Sequence, residues 1–425
     1  MTLSPTRAPS DGVRRLAVTL HAHAFLDEFV LLYPVYALLF ADTGLTLWQI
    51  SSLFVLWSLT GVLLEVPSGA WADAFSRRML LWLGPLLTAA GFGLWVLAPS
   101  YGTFALGFVL WGARGALGSG ALEALVYEEL DRLGESRRYA GLMGRAQAAG
   151  QVAVMAAMAL AGPAFALGGY RLVGAASVLA CLLTAAVATR FPERRAPVRG
   201  GDEDGWAAAL RAGLREARRD RSVRGALLLV PAVAAVWGAL DEYTPLLALD
   251  TGVAAATVPY LLVVIWAGVS VGSLLAGPAA RLGRPGLAAL LTLCAVALAA
   301  GASWGRPAGM VLVAVAFGGF QLATVLADAR LQQRIEGAAR ATLTSLAGLG
   351  TELVTMAVYG VYATLGTTAS HGTVFTLFAV PYLLTALLLT ARRAARAPAH
   401  PGGGGPLGPP AAHPHPGARD RTGDD

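Results

Sequence analysis

From Leu47 to Leu64 the chain is apolar, and again from Met79 to Ala98. Each run is roughly 20 residues, the length an α-helix needs to cross ~30 Å of hydrocarbon. Between them lies the turn Glu65-Val66-Pro67-Ser68-Gly69-Ala70-Trp71-Ala72-Asp73-Ala74-Phe75-Ser76-Arg77-Arg78. Gly69 permits close backbone approach, Asp73 supplies a negative charge, and Arg77 and Arg78 hold the turn on the cytoplasmic side.

Similar runs recur along the whole chain. Of its 425 residues 56% are hydrophobic and 14% charged, with a mean hydropathy of +0.60. A soluble domain carries about 25% charged residues, so this composition is that of an integral membrane protein. The net charge of +6 comes from arginines beside apolar spans, without interleaved aromatics, and reads as a topology signal rather than a nucleic-acid surface. Cys181 and Cys294 each fall inside an apolar run and read as small buried hydrophobes, neither a disulfide nor a metal pair. Arg14 and Arg15 precede a run from Leu16 to Phe40 that is too long for a signal-peptide core and carries Asp27 and Glu28. It is taken as the first span.

Twelve spans are predicted, at 16–40, 47–68, 79–98, 102–126, 138–165, 170–190, 224–249, 257–280, 286–303, 308–329, 339–365 and 372–391. This gives a cytoplasmic N-terminus (1–15), a six-helix bundle (16–190), a linker (191–223), a second bundle (224–391) and a disordered cytoplasmic tail (392–425). Within the linker, Trp206 to Arg219 suits an amphipathic surface helix. Outer loops and outer span ends hold only Arg171 and Arg306, and Arg114 and Arg145 lie within spans away from their ends. That leaves twenty-eight of the 32 basic residues on the face of both termini, which is therefore expected to be cytoplasmic.

The halves repeat one another. Leu26-Asp27-Glu28-Phe29 recurs as Leu240-Asp241-Glu242-Tyr243, Asp42-Thr43-Gly44 as Asp250-Thr251-Gly252, and Val55-Leu56-Trp57 as Val264-Ile265-Trp266.

On the turn at 65–78 the chain resembles the major facilitator superfamily of secondary transporters, whose hallmark is G-x-L-A-D-x-x-G-R-[RK]. Gly69, Ala72, Asp73, Arg77 and Arg78 match, while Trp71 and Ser76 depart. The preceding Glu65-Val66-Pro67-Ser68 is similar to a bacterial branch carrying E-x-P-[ST]. The resemblance implies an all-α membrane fold of two pseudo-symmetric six-helix halves, with a substrate path between them near the midplane.

Ionisable residues at bilayer depth cost about 2.5–3.5 kcal/mol on insertion scales and need a partner, a wet cavity or a function. Asp27 and Glu28 lie ~18 Å along span 1, Arg114 a similar distance along span 4, Asp241 and Glu242 in the outer half of span 7, and Glu352 near the middle of span 11. The family lines its cavity with spans 1, 4, 7 and 10, which makes Asp27, Glu28, Asp241, Glu242 and Gln321 cavity candidates, with Tyr33, Tyr36, Trp57 and Trp237 as aromatic contacts. Asp27 or Glu28 is the candidate proton carrier; the alternative is a structural ion pair with Arg114. The run Arg114-Gly115-Ala116-Leu117-Gly118-Ser119-Gly120-Ala121 resembles the family's R-x-x-Q-G-x-G-A, with Leu117 in place of the Gln. That resemblance gives Arg114 a proton-coupling role, and Gly115, Gly118 and Gly120 are read as helix-packing positions.

Glu123, nine residues past Arg114, faces away from it. Glu128 is the expected partner of Arg77 or Arg78. By resemblance, Asp73 sits at the start of span 11, so that Glu65, Gly69, Asp73, Arg77, Arg78 and Glu128 form a conformational gate. Gly162-Pro163 ends span 5 in a run loosely similar to the family's antiporter signature G-P-x-x-G-G, with four residues in place of two. His21 and His23 point about 200° apart and make a poor chelate. No G-x-x-x-x-G-K-[ST] loop or catalytic cluster appears, and the linker of about 33 residues is too short for an enzyme domain.

The resulting expectation is a monomeric, multi-pass protein of the cell membrane, without cofactor or metal. It would exchange protons for a small hydrophobic or cationic compound by alternating access. Nutrient uptake by symport is the nearest rival. A receptor or scaffold on the same fold belongs to a different class, against which the deep charges argue.

Overall fold

The computed structural model describes residues 11–74, 76–118, 120–192, 221–334 and 340–394, and of 65–74, 221–222, 340–342 and 392–394 the backbone path alone. The helix expected at 206–219, the tail with His413 and His415, and the side chains of Glu65, Gly69 and Asp73 lie outside the described residues. Every regular element among those residues is helical.

Among the described residues, nine helices are long and apolar enough to cross a membrane. One of them, Tyr139–Ala188, contains two crossings separated at Gly169, whose φ is 57°. Two further crossings are broken helices. Span 1 is Asp11–Glu28 followed by Tyr36–Asp42, and span 4 is Tyr101–Gly118 followed by Ala121–Arg132. The others are span 2 (Leu47–Ala74), span 3 (Arg77–Leu97), span 7 (Arg221–Asp241 with Thr244–Asp250), span 8 (Val258–Leu274), span 9 (Arg284–Ser303), span 10 (Gly309–Gln332), span 11 (Arg340–Leu365) and span 12 (His371–Leu377 with Val380–Ala394). An even number of crossings puts both ends and the inter-half connection on one side, here the terminal face. The opposite side is the far face.

The continuous helices expected for spans 1, 4 and 7 are corrected by these breaks. In span 1 the ladder stops at Glu28, and Pro34 brings no N–H to the stretch that follows. A backbone amide freed inside a membrane must find another partner. The Leu32 amide donates to Ser177 Oγ on span 6 at 3.0 Å. In span 7 the Thr244 hydroxyl donates to the Asp241 carbonyl at 2.6 Å, and Pro245 opens the next piece. Both breaks fall on the repeated Leu-Asp-Glu motif. The second repeat also has a structural meaning: Gly44 and Gly252 adopt φ of 87° and 84°, turning the chain at the far ends of spans 1 and 7. In span 4 the break is at Gly120, φ 69°, a conformation costly for any residue with a Cβ.

The halves are joined toward the far face. Ser51 Oγ and Tyr243 OH lie 2.6 Å apart, and Phe54 packs against Tyr243 and Tyr359 with ring centroids 5.4 Å from each. A Cβ on Gly162 would meet the Tyr260 ring at 2.7 Å, so spans 5 and 8 touch through that glycine. Gly366, the residue after span 11, likewise packs on Leu47 of span 2.

Candidate functional site: a two-chambered cavity between the halves

Trp111 and Arg114 are one helical turn apart and share a face of span 4. Gly84 of span 3 opens room behind them: a Cβ there would meet Arg114 Cγ at 3.0 Å. The arginine stem therefore lies along span 3 while its head reaches Asp27 of span 1 in an ion pair. The two side chains are 18% and 23% exposed, so the pair stands within reach of cavity water rather than in dry packing.

Arg114 lines a chamber of about 510 Å³ formed by spans 2 and 4 of one half and spans 7 and 11 of the other. Glu242, Glu352 and Tyr359 face the same space. A second chamber of about 290 Å³ lies between spans 1, 2, 4 and 5 and spans 7 and 8. Its walls include Glu28, Tyr33, Tyr36, Asp241 and Trp266. Trp57, Trp111 and Glu242 belong to both chambers. Tyr33, Trp111 and Trp57 form a stack across spans 1, 4 and 2, with centroids 5.3 Å and 4.6 Å apart and planes 8° and 25° from parallel.

The carboxylates differ in their surroundings. Asp27 has Arg114. Glu28, Asp241 and Glu242 make no ion pair or side-chain hydrogen bond among the described residues. Each sits where a half-helix ends, or at the next residue, and the unpaired carbonyls there add partial negative charge. Glu28 lies against span 5, where a Cβ on Gly150 would meet its Cγ at 3.2 Å.

Several expectations are corrected. Trp237 packs inside its own half: its backbone N–H donates to Tyr382 OH at 2.8 Å and its indole to Thr324 Oγ1 at 3.2 Å. Gln321 is on neither chamber wall, and its amide donates to Ser273 Oγ of span 8 at 3.0 Å. Around Gly115, Gly118 and Gly120 a Cβ would meet nothing within 4 Å, so these are not packing contacts; Gly115 lines the larger chamber and Gly120 breaks the helix. Close approaches on span 4 are made instead by Gly107, where a Cβ would run into the Trp95 ring, and by Gly112, where it would meet Thr60 at 2.9 Å. Pro163 is exposed beside the close-packed Gly162.

On the terminal face Arg77 pairs with Glu128 at 2.5 Å, and Arg78 donates to the carbonyls of Thr189 and Phe191 at 3.5 Å. These contacts tie span 3 to spans 4 and 6 of the same half. His23 is buried beside Phe191, with ring centroids 5.5 Å apart. Sequence reasoning passed over Trp111 and Trp266 as wall residues. Their signals were present: Trp111 is three residues before Arg114, and Trp266 is the repeat mate of Trp57.

The family model described as Major Facilitator Superfamily matches residues 20–358. The chain belongs to the major facilitator superfamily. It is accordingly a membrane transporter rather than an enzyme, with the fold of that superfamily. Solved structures agree on the fold. The nucleoside transporter NupG aligns at 12% identity with a TM-score of 0.70, covering 90% of this chain and 99% of its own. The D-xylose-proton symporter aligns at 14% identity and TM-score 0.66, covering 88% and 96%. The POT family transporter PepTSo aligns at 12% identity and TM-score 0.66, covering 90% and 98%. No curated protein sequence matches.

Proposed function

We propose that this superfamily member is a proton-coupled secondary transporter that exports a small hydrophobic or cationic compound by alternating access. The reading is carried by the Asp27–Arg114 ion pair, whose arginine lines a cavity that lies between the halves. A proton arriving at Asp27 removes its charge and releases Arg114. The freed guanidinium then needs another anionic partner, and Glu242 and Glu352 face the same chamber. Proton loss restores the pair. Two arrangements of one cation, each tied to a different packing of the halves, link proton movement to rocking about the cavity. The terminal face is the cytoplasmic one by its arginine excess, so closure at the far face is the inward-facing arrangement. Arg77, Glu128 and the Asp73 turn then belong to the cytoplasmic gate of a monomer in the cell membrane.

The acidic pair in span 1 and the antiporter-like end of span 5 favour export. Uptake by symport is the second reading, favoured by the fold shared with the D-xylose-proton symporter. Everted vesicles with an imposed proton gradient decide between them. Export predicts accumulation inside everted vesicles when their lumen is acid, and symport predicts accumulation when the outside is acid. Accumulation that ignores the gradient would remove the coupling.

A further inference from the structure

The two chambers differ in charge. The larger holds Arg114 opposite Glu242 and Glu352. The smaller holds Glu28, Asp241 and Glu242 and no basic residue on its wall. Half of its other wall residues are aromatic: Tyr33, Tyr36, Trp57, Trp111 and Trp266. A volume of about 290 Å³ is at the lower end of the ~300–1,000 Å³ typical of small-molecule pockets.

Two pairs of wall residues are repeat mates, Glu28 with Glu242 and Trp57 with Trp266. One acid and one indole from each half thus converge on the smaller chamber, as expected of a site on the axis relating two repeats. The acids stand at or next to the ends of half-helices, whose carbonyls deepen the negative potential. Arg114, whose charge reaches Glu28, is taken up by Asp27, and no cation stands on the chamber wall, so that potential is open to a positively charged guest. Aromatic faces attract a desolvated ammonium through their quadrupoles, and indole does so best. A neutral sugar would leave three carboxylates without a counter-charge, and an anion would be repelled.

We infer that the smaller chamber is the substrate site and that it takes a small organic ammonium, a single-ring amine or quaternary ammonium, with Glu28 and Asp241 as counter-ions and Trp57, Trp111 and Trp266 as the aromatic wall. This rests on the transport reading for its purpose but not for its geometry. Arg114 and Asp27 stay outside the contact set. Cargo and proton then use different carboxylates, and the cargo is held by the half-helix ends.

The test is equilibrium binding to the purified full chain in lipid nanodiscs, read as quenching of tryptophan fluorescence. Three one-ring probes are titrated: benzyltrimethylammonium, benzyl alcohol and phenylacetate. The cation is expected to saturate at a concentration at least tenfold below either of the others. Glu28→Gln and Asp241→Asn each weaken cation binding at least tenfold, and Trp266→Ala about fivefold. Binding of benzyl alcohol or phenylacetate as tightly as the cation would overturn the assignment on the unaltered protein, whatever the variants do. So would retention of cation affinity within twofold in both acid variants. Flux in proteoliposomes separates the two readings. Saturable cation binding without any flux upholds the site and sinks the transport reading, whereas proton-driven flux of benzyl alcohol or phenylacetate without cation binding does the reverse.

Discussion

At the scale of single residues, the molecule turns on which carboxylate has a partner. Asp27 is matched by Arg114; Glu28, one residue on, is not. Asp27→Asn is therefore expected to abolish proton coupling while leaving benzyltrimethylammonium binding within about threefold. A transport pH profile unchanged from the parent would eliminate Asp27 as the carrier. Arg114→Leu leaves a carboxylate unpaired. Breaking such a pair costs ~3–5 kcal/mol when it is fully buried, and here the low end applies because both side chains are partly exposed. Adding Asp27→Asn to Arg114→Leu should recover most of that loss, measured as thermal unfolding in detergent; no recovery would mean the two are not energetically joined. The deep charges were legible in the sequence because an ionisable residue in an apolar run is rare and expensive. The aromatic wall was not. Trp57 and Trp237 look alike in pattern, and what separates them is Tyr382 and Thr324, which hold Trp237 from far along the chain.

At the scale of elements, hydropathy made the spans legible, since length and polarity alone decide what can cross a bilayer. It did not reveal that spans 1 and 7 break. The break in span 1 depends on a hydroxyl 145 residues away, Ser177, replacing the ladder for Leu32. Ser177→Ala should leave that amide without a partner and cost about 1–3 kcal/mol. The checking measurement is thermal stability, together with faster deuterium uptake in the peptide covering residues 29–35; unchanged uptake would show that the hydroxyl does not hold the break. Glycine contacts were also misjudged from motif alone. Gly112 and Gly162 meet neighbours closely, whereas Gly115 and Gly118 meet none. Gly162→Val is expected to push spans 5 and 8 apart and raise labelling of a Phe54→Cys probe by an impermeant maleimide added at the far face. Labelling at the parental rate would show that the contact is not part of closure.

At the scale of the whole molecule, the two halves meet toward one face and enclose a cavity whose walls both contribute. Cysteines at Leu47 and Gly366, the touching ends of spans 2 and 11, should cross-link under mild oxidation and stop transport, with activity restored by reductant. Cross-linking without loss of transport would show that the far face need not open. The architecture was readable from the internal repeat and from the turn at 65–78, but the side on which the halves meet was not, because it depends on which tertiary contacts are made. Tyr243, whose hydroxyl fastens Ser51 across the divide, follows Glu242 directly in the chain. Their Cα atoms are only about 3.8 Å apart across one peptide bond. On the proposed reading, loading and fastening are thus neighbours in the chain: a guest that pulls on Asp241 pulls, two residues on, at the clasp that keeps the far face shut.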